Sequence, residues 1–107
     1  MSQIPPEIQL AAQAIIEDFN RKILSRATQY VPRFKGAYLF LDRSDYGERP
    51  HEICRLEFTG SIDNWDFAIY KYSKEHYDPD EGFFTGAELL DGTIEAAMRS
   101  GLAAYPV

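Results

Sequence analysis

The sequence has a single cysteine, Cys54, among its 107 residues. One thiol cannot close a disulfide within the chain, and disulfides belong to oxidising compartments, so we expect a reducing location, most simply the cytoplasm. The longest apolar run is only a few residues, far short of a bilayer-spanning stretch, and no membrane segment is predicted. The beginning of the chain, MSQIPPEIQ, lacks a basic patch followed by an apolar core, so we predict no signal peptide.

Positive charge is also scarce, with 11 Lys and Arg against 17 Asp and Glu, a net charge of −6. Phosphates and anionic lipids require clustered Lys and Arg, so we expect neither nucleic acid nor a membrane surface as partner. The charges are segregated: residues 19–41 hold five basic and no acidic side chains, and residues 75–95 hold seven acidic and no basic ones. This indicates either helix-end complementarity with a solvated loop, or attraction between these segments, within one chain or between two copies.

Catalytic and cofactor motifs are missing. The sequence contains no GxGxxG, no phosphate-binding loop, no GxSxG and no HExxH, so we predict no cofactor and no metal. His51 and Cys54 lie three residues apart on a predicted strand, and their side chains then point to opposite faces. That spacing excludes a shared metal or a Cys–His pair, and Cys54 is interpreted as a small buried apolar residue.

What the chain has is aromatic and apolar material for one core: seven Tyr, seven Phe and one Trp. We expect a single domain over residues 1–107.

Apolar residues recur at spacings of three and four from Ile8 to Tyr30, which predicts one long helix over residues 6–30, ended by Pro32. Such a helix spans about 37 Å, whereas an eight-residue strand spans roughly 27 Å. Part of its apolar stripe would therefore overhang the sheet and need a partner.

Three strands are predicted next, and their short connections join only antiparallel neighbours. They are Gly36–Arg43, His51–Thr59 and Trp65–Tyr72. Thr93 is expected to cap a last helix that runs through Ala104. The predicted fold class is α+β, a two-layer α-β-β-β-α arrangement with both helices on one face of a three-stranded meander. Residues 83–90 could add a short fourth edge strand.

The alternation of residues predicts which side chains meet the helices. With Gly60 opposite Trp65, Phe58 faces Phe67 and Leu56 faces Ile69, which keeps apolar residues on one side. The predicted inner face consists of Ala37, Leu39, Leu41, Cys54, Leu56, Phe58, Trp65, Phe67 and Ile69.

The other side of the sheet is unusually aromatic, and it is the candidate functional surface. It is expected to display Tyr38, Phe40, Ile53, Arg55, Glu57, Ala68, Tyr70 and Tyr72. Tyr and Arg are favoured at interface centres, and Arg55 opposite Tyr70 could make a cation–π contact. We therefore predict a non-catalytic interaction or accessory module that binds itself, as a homodimer, or another protein. The binding residues would be Tyr38, Phe40, Arg55, Tyr70 and Tyr72. Alternatively, the tyrosines simply cover the wet side of the sheet, or residues 73–92 fold back over it.

A second hypothesis is a small enzyme or ligand-binding protein. Glu75, His76 and Asp78 lie close together in sequence, and such groups serve acid–base chemistry. His76 would carry the proton, and Asp78 or Glu75 would orient it. The run Asp78–Gly82 resembles the start of a calcium loop but lacks the third ligand before Gly and the distal Glu, so a solvated acidic loop is expected instead.

Overall fold

The structure, a computed structural model, describes residues 3–107. Within that range the chain forms an α+β fold with both helices packed on one face of a five-stranded sheet, in the order β1-β2-β3-β4-β5 with every neighbouring pair antiparallel. The elements are α1 (Pro6–Lys22), β1 (Thr28–Lys35), β2 (Tyr38–Asp45), β3 (His51–Ser61), β4 (Asn64–Lys71), β5 (His76–Asp78), a 3-10 turn (Ala87–Leu89) and α2 (Ile94–Ala104). The predicted fold class, with its N-terminal and C-terminal helices, is confirmed.

The predicted long helix over residues 6–30 is wrong at its C-terminal end. Helix α1 ends at Lys22, and the chain then turns into strand β1. In that strand Thr28 and Tyr30 are buried while Arg33 is exposed, an alternation of period two rather than 3.6. The 17 residues of α1 span about 25 Å, close to the length of a strand. The overhanging stripe therefore does not exist.

Helix α1 is joined to the free edge of β1 by a buried amide. The Asn20 side chain donates to the Tyr30 carbonyl at 3.0 Å and accepts from the Tyr30 N–H at 2.8 Å. It thus takes the place of a neighbouring strand at that residue. Pro32, two positions further along, has no N–H to leave unpaired, which is why proline is tolerated on an edge strand.

At the opposite edge, residues 83–90 do not form the short strand that the sequence left possible there. The additional strand is β5, three residues that pair with β4 through Ile69–Asp78, Tyr70–Tyr77 and Lys71–His76. Residues 83–90 instead hold the 3-10 turn, and Phe84 stacks on Phe67 with ring centroids 5.7 Å apart. Phe83, its neighbour, is 98% exposed. The sheet therefore has five strands rather than three or four.

The register of the β3–β4 hairpin is shifted by two residues from the predicted one. Phe58 lies opposite Trp65, and Leu56 lies opposite Phe67. Because side chains alternate with a period of two, a two-residue shift leaves each residue on its predicted face. The predicted inner-face residues are buried, except Phe58 and Phe67, which are half-buried and pack against the core.

A bulge in β3 changes one assignment. Leu41 lies opposite Cys54, but the next residue, Asp42, lies opposite Glu52, so Ile53 has no partner on β2. Ile53 and Cys54 are both fully buried. A bulge places two successive side chains against one partner residue and disturbs the alternation. The prediction that Ile53 lies on the outer face is therefore wrong.

Helix α2 packs against this bulge at a glycine. A Cβ placed on Gly101 would lie 2.5 Å from the Tyr30 hydroxyl oxygen and 2.6 Å from the Ile53 Cγ2. The Tyr30 hydroxyl also donates to the Met98 carbonyl at 2.7 Å. The helix therefore approaches the sheet as closely as its backbone allows.

Arg43, at the end of β2, is 1% exposed and lies on the inner side of the sheet. Its guanidinium donates to the Asp45 carboxylate at 2.8 Å and to the carbonyl of Tyr105, just after α2. A cation at a helix C-terminus stabilises the unpaired carbonyls there. Arg43 thus joins the end of a strand to the end of a helix.

We expect Gly101→Ala to destabilise the protein by about 1–2 kcal/mol, because overpacking at Tyr30 and Ile53 outweighs the better helix propensity of alanine. Urea unfolding followed by circular dichroism measures the change. Gly82→Ala is the matched control, since a Cβ there meets nothing within 4 Å. The close packing of α2 would be contradicted if the two substitutions had equal effects.

Candidate interaction surface

The sheet surface that faces away from the helices, called the outer face below, carries rings and charges from all five strands. Alternation places each side chain there: inner residues such as Leu39, Leu56 and Trp65 are buried, and their neighbours point outward. The outer face includes Arg33, Tyr38, Phe40, Asp42, Arg55, Glu57, Asp66, Ala68, Tyr70 and Tyr77.

The side chains of the outer face converge above the middle strands. Arg33 on β1 donates to Asp42 at 2.6 Å, lies 4.6 Å from the Phe40 ring centroid and comes within 3.5 Å of the Tyr77 hydroxyl on β5. Phe40 and Tyr77 have ring centroids 5.3 Å apart. Residues from opposite edges of the sheet are thus in contact. Ala68, below them, is only 2% exposed.

Tyr77 belongs to residues 73–92, the segment that could fold back over the outer side of the sheet according to the sequence. It lies over the outer face, whereas Phe84 of the same segment packs against Phe67, on the inner side. The rings also cover one another, since Tyr70 contacts Tyr77 edge to face at 4.9 Å. Part of the outer face is therefore self-covered, as the alternative interpretation expected.

Arg55 is the central cation of this surface. Its guanidinium carbon lies 4.5 Å from the ring centroid of Tyr38 and 5.5 Å from that of Tyr77. The cation–π partner expected from sequence was Tyr70, but the residue directly opposite Arg55 is Ala68. Among residues 3–107, no oxygen accepts a hydrogen bond from this guanidinium, and none of the ion pairs includes it.

Two acidic side chains face each other beside Arg55. Glu57 on β3 lies directly opposite Asp66 on β4. Like charges in this position destabilise a sheet unless a cation lies between them. Within the described part of the chain, no Lys, Arg or His nitrogen lies within 4.0 Å of either carboxylate.

Tyr72 lies at the margin of this surface. Its ring contacts Tyr70 at 4.8 Å and Tyr105 at 5.6 Å, and its hydroxyl donates to the Glu52 carbonyl at 2.6 Å. It is nevertheless 46% exposed. Tyr77 contacts Phe40, Arg55 and Tyr70 directly, and Tyr38 contacts both Phe40 and Arg55. Four of the five predicted binding residues thus lie in one contact cluster, and Tyr72 lies beside it against Tyr70.

Arg33, Asp42, Asp66 and Tyr77 are among the members that sequence reasoning missed. Arg33 and Tyr77 lie on edge strands that were not predicted, β1 and β5. The alternating polar and apolar residues of Thr28–Lys35 were the available signal for β1. For β5, three residues are too few to show a period.

The second candidate site is not assembled. His76 is exposed, and its Nδ1 lies 3.1 Å from the Lys74 carbonyl; Glu75 is exposed, with a φ of 54°. Asp78 accepts from the Asp80 N–H at 3.0 Å. No hydrogen bond joins His76, Glu75 and Asp78 to one another in the described range. Residues 3–107 also contain no group of three His, Cys, Asp or Glu side chains arranged to hold a metal ion.

Comparisons with models of known protein families, with curated proteins and with solved structures found no match. Within the described range, none of the helices combines the length and the apolar character needed to cross a membrane. The outer face itself is therefore the basis for inferring a function.

Burial, with the Asp42 charge as a second cause, raises the pKa of Tyr77 to about 12, although Arg33 lowers it. A tyrosine with a raised pKa stabilises the folded state at low pH, and this stabilisation is lost as the pH rises from the unfolded value of 10.0 towards about 12. We expect Tyr77→Phe to lessen the loss of stability over that pH range, measured by urea unfolding at each pH. An unchanged alkaline slope would contradict the burial of the Tyr77 hydroxyl. The free energy of unfolding of Tyr77→Phe at neutral pH, where the tyrosine is protonated, is the internal control for any loss of packing.

Proposed function

We propose that this protein is a non-catalytic interaction or accessory module that docks through its outer face. The single observation that carries the proposal is Arg55, whose guanidinium stacks against the rings of Tyr38 and Tyr77 while its N–H groups have no acceptor among residues 3–107. A partner would supply the missing acceptors.

The physical advantage of this arrangement is preorganisation. A guanidinium presents five N–H donors in a rigid plane, and stacking against rings fixes that plane before binding. Less side-chain entropy is then lost when a partner carboxylate or carbonyl accepts those donors. Tyr and Arg are also the residue types that carry most binding energy at protein interfaces.

The partner is the protein itself or another protein, not nucleic acid. The outer face holds acidic Asp42, Glu57 and Asp66 beside its two arginines, and the chain is acidic overall, so a phosphate backbone is a poor match. We place the module in the cytoplasm, because its one thiol, Cys54, is free and buried and suits a reducing compartment.

We prefer this proposal to a small enzyme built around His76. A general base needs its orienting partner within hydrogen-bond reach. The only hydrogen bond of the His76 ring among residues 3–107 is to a backbone carbonyl, whereas the rings and cations of the outer face contact one another.

Site-specific photocrosslinking tests the proposal without a known partner. A photoreactive phenylalanine analogue is placed at Tyr72, on the outer side, and at Leu10, which is 68% exposed on α1. We expect adducts, with a second copy or with another protein, from position 72 and not from position 10. Arg55→Ala in the same chain should reduce adduct yield more than tenfold, since loss of an interface arginine costs about 2 kcal/mol or more.

Arg55→Lys separates charge from stacking, because lysine keeps the charge but not the planar fork. We expect Arg55→Lys to give little more adduct than Arg55→Ala. Each variant is first shown to unfold at an unchanged denaturant midpoint. Adducts from position 10 alone, or none from position 72, would contradict the proposal.

A further inference from the structure

We infer that the occupant of the outer face is a second copy of this chain, placed face to face about a two-fold axis near Leu56 of β3. The inference rests on the proposed function, because it names the partner of that same surface. Its basis is that two defects of the outer face match each other.

The first defect is a cation without an anion. Arg55 has ring partners, Tyr38 and Tyr77, but no carboxylate within 4.0 Å among residues 3–107. The second defect is a pair of anions without a cation, Glu57 directly opposite Asp66. Within the part of the chain that the structure describes, neither is compensated. Each has the charge that the other lacks.

The spacing along β3 fits a two-fold axis. Arg55 and Glu57 are two residues apart on the same face, about 7 Å at 3.4 Å per residue. An axis that lies between the two outer faces, parallel to the sheet and at right angles to β3 above Leu56, exchanges these two positions. Arg55 of each copy then lies against the partner's Glu57, and an isologous contact of this kind is the commonest basis of homodimers.

Asp66 adds a second acceptor to each contact. Because it lies directly opposite Glu57, an incoming guanidinium meets two carboxylates together. A planar guanidinium can donate to both, and charge-assisted hydrogen bonds of this type are stronger than neutral ones. The same contact removes the repulsion between Glu57 and Asp66.

The rings provide the surroundings that such ion pairs need. Tyr38 lies directly opposite Glu57 on β2, and its ring also stacks with Arg55. Phe40 lies next to Tyr38, and Tyr77 lies next to Phe40. Side chains of this kind exclude water from a central charged contact and so strengthen it. A different protein would have to reproduce this alternation of cation, anion pair and rings, which a second copy presents by symmetry.

Sedimentation equilibrium over a range of micromolar concentrations measures the association. We expect the mass of the wild type to approach twice the 12.3 kDa of one chain, and the dimer to weaken as salt screens the ion pairs. Arg55→Glu and Glu57→Arg should each weaken dimerisation by about tenfold or more, since like charges then meet across the axis.

The decisive measurement is the mixture of these two variants. In the mixed pair both contacts again join opposite charges, so we expect a heterodimer close to wild-type affinity. Arg26→Glu and Glu48→Arg carry the same charge changes at exposed positions elsewhere and should leave the dimer unchanged. Circular dichroism confirms that each variant is folded; if Arg55→Glu is not, Arg55→Gln replaces it, and weaker dimerisation is again expected.

A wild type that stays monomeric overturns the inference, and so does a dimer that Arg55→Glu leaves intact or that mixing fails to restore. The proposed function fails separately. Photoadducts from position 72 to a different protein, with a monomeric wild type, would keep the interaction module and reject the second copy. A monomeric wild type that also gives no adducts from that position would reject both.

Discussion

The bulge at Ile53 is the constraint on which the two faces of this sheet depend. By adding a residue to β3, it turns Ile53 and Cys54 towards the helices together, and the contact between Ile53 and Gly101 then fixes how closely α2 approaches. Beyond the bulge, Arg43 remains on the inner side and contacts the carbonyl that follows α2. The position of the helix layer thus depends on one unpaired strand residue.

The outer face has a different organisation, because no helix covers it. Its rings and cations cover one another, from Arg33 on the first strand to Tyr77 on the last. This lateral packing shields Ala68 without a second layer. Charge, rather than apolar area, is therefore the unsatisfied property of the surface, and it is concentrated at Arg55, Glu57 and Asp66.

The sequence was sufficient to predict the fold class, the meander and most of the inner face, because alternation survives even a two-residue error in register. The predicted C-terminal end of the first helix was wrong because two periods overlap there. Ile23, Ala27 and Tyr30 continue the helical spacing of α1, yet Tyr30 also belongs to the alternation of β1. The bulge at Ile53 and the short strand β5 have no sequence signal of their own. Four of the five predicted binding residues came together, but Arg33 and Tyr77 depended on those missed strands.

The blocked edges of the sheet limit how this protein can aggregate. At β1 the Asn20 amide occupies the backbone groups of Tyr30, and Pro32 offers no N–H; at the other side β5 is only three residues long. An incoming strand therefore finds few groups to pair with, and open-ended fibril growth by strand addition is disfavoured. Contacts between copies of this chain are therefore directed to the faces of the sheet rather than to its edges.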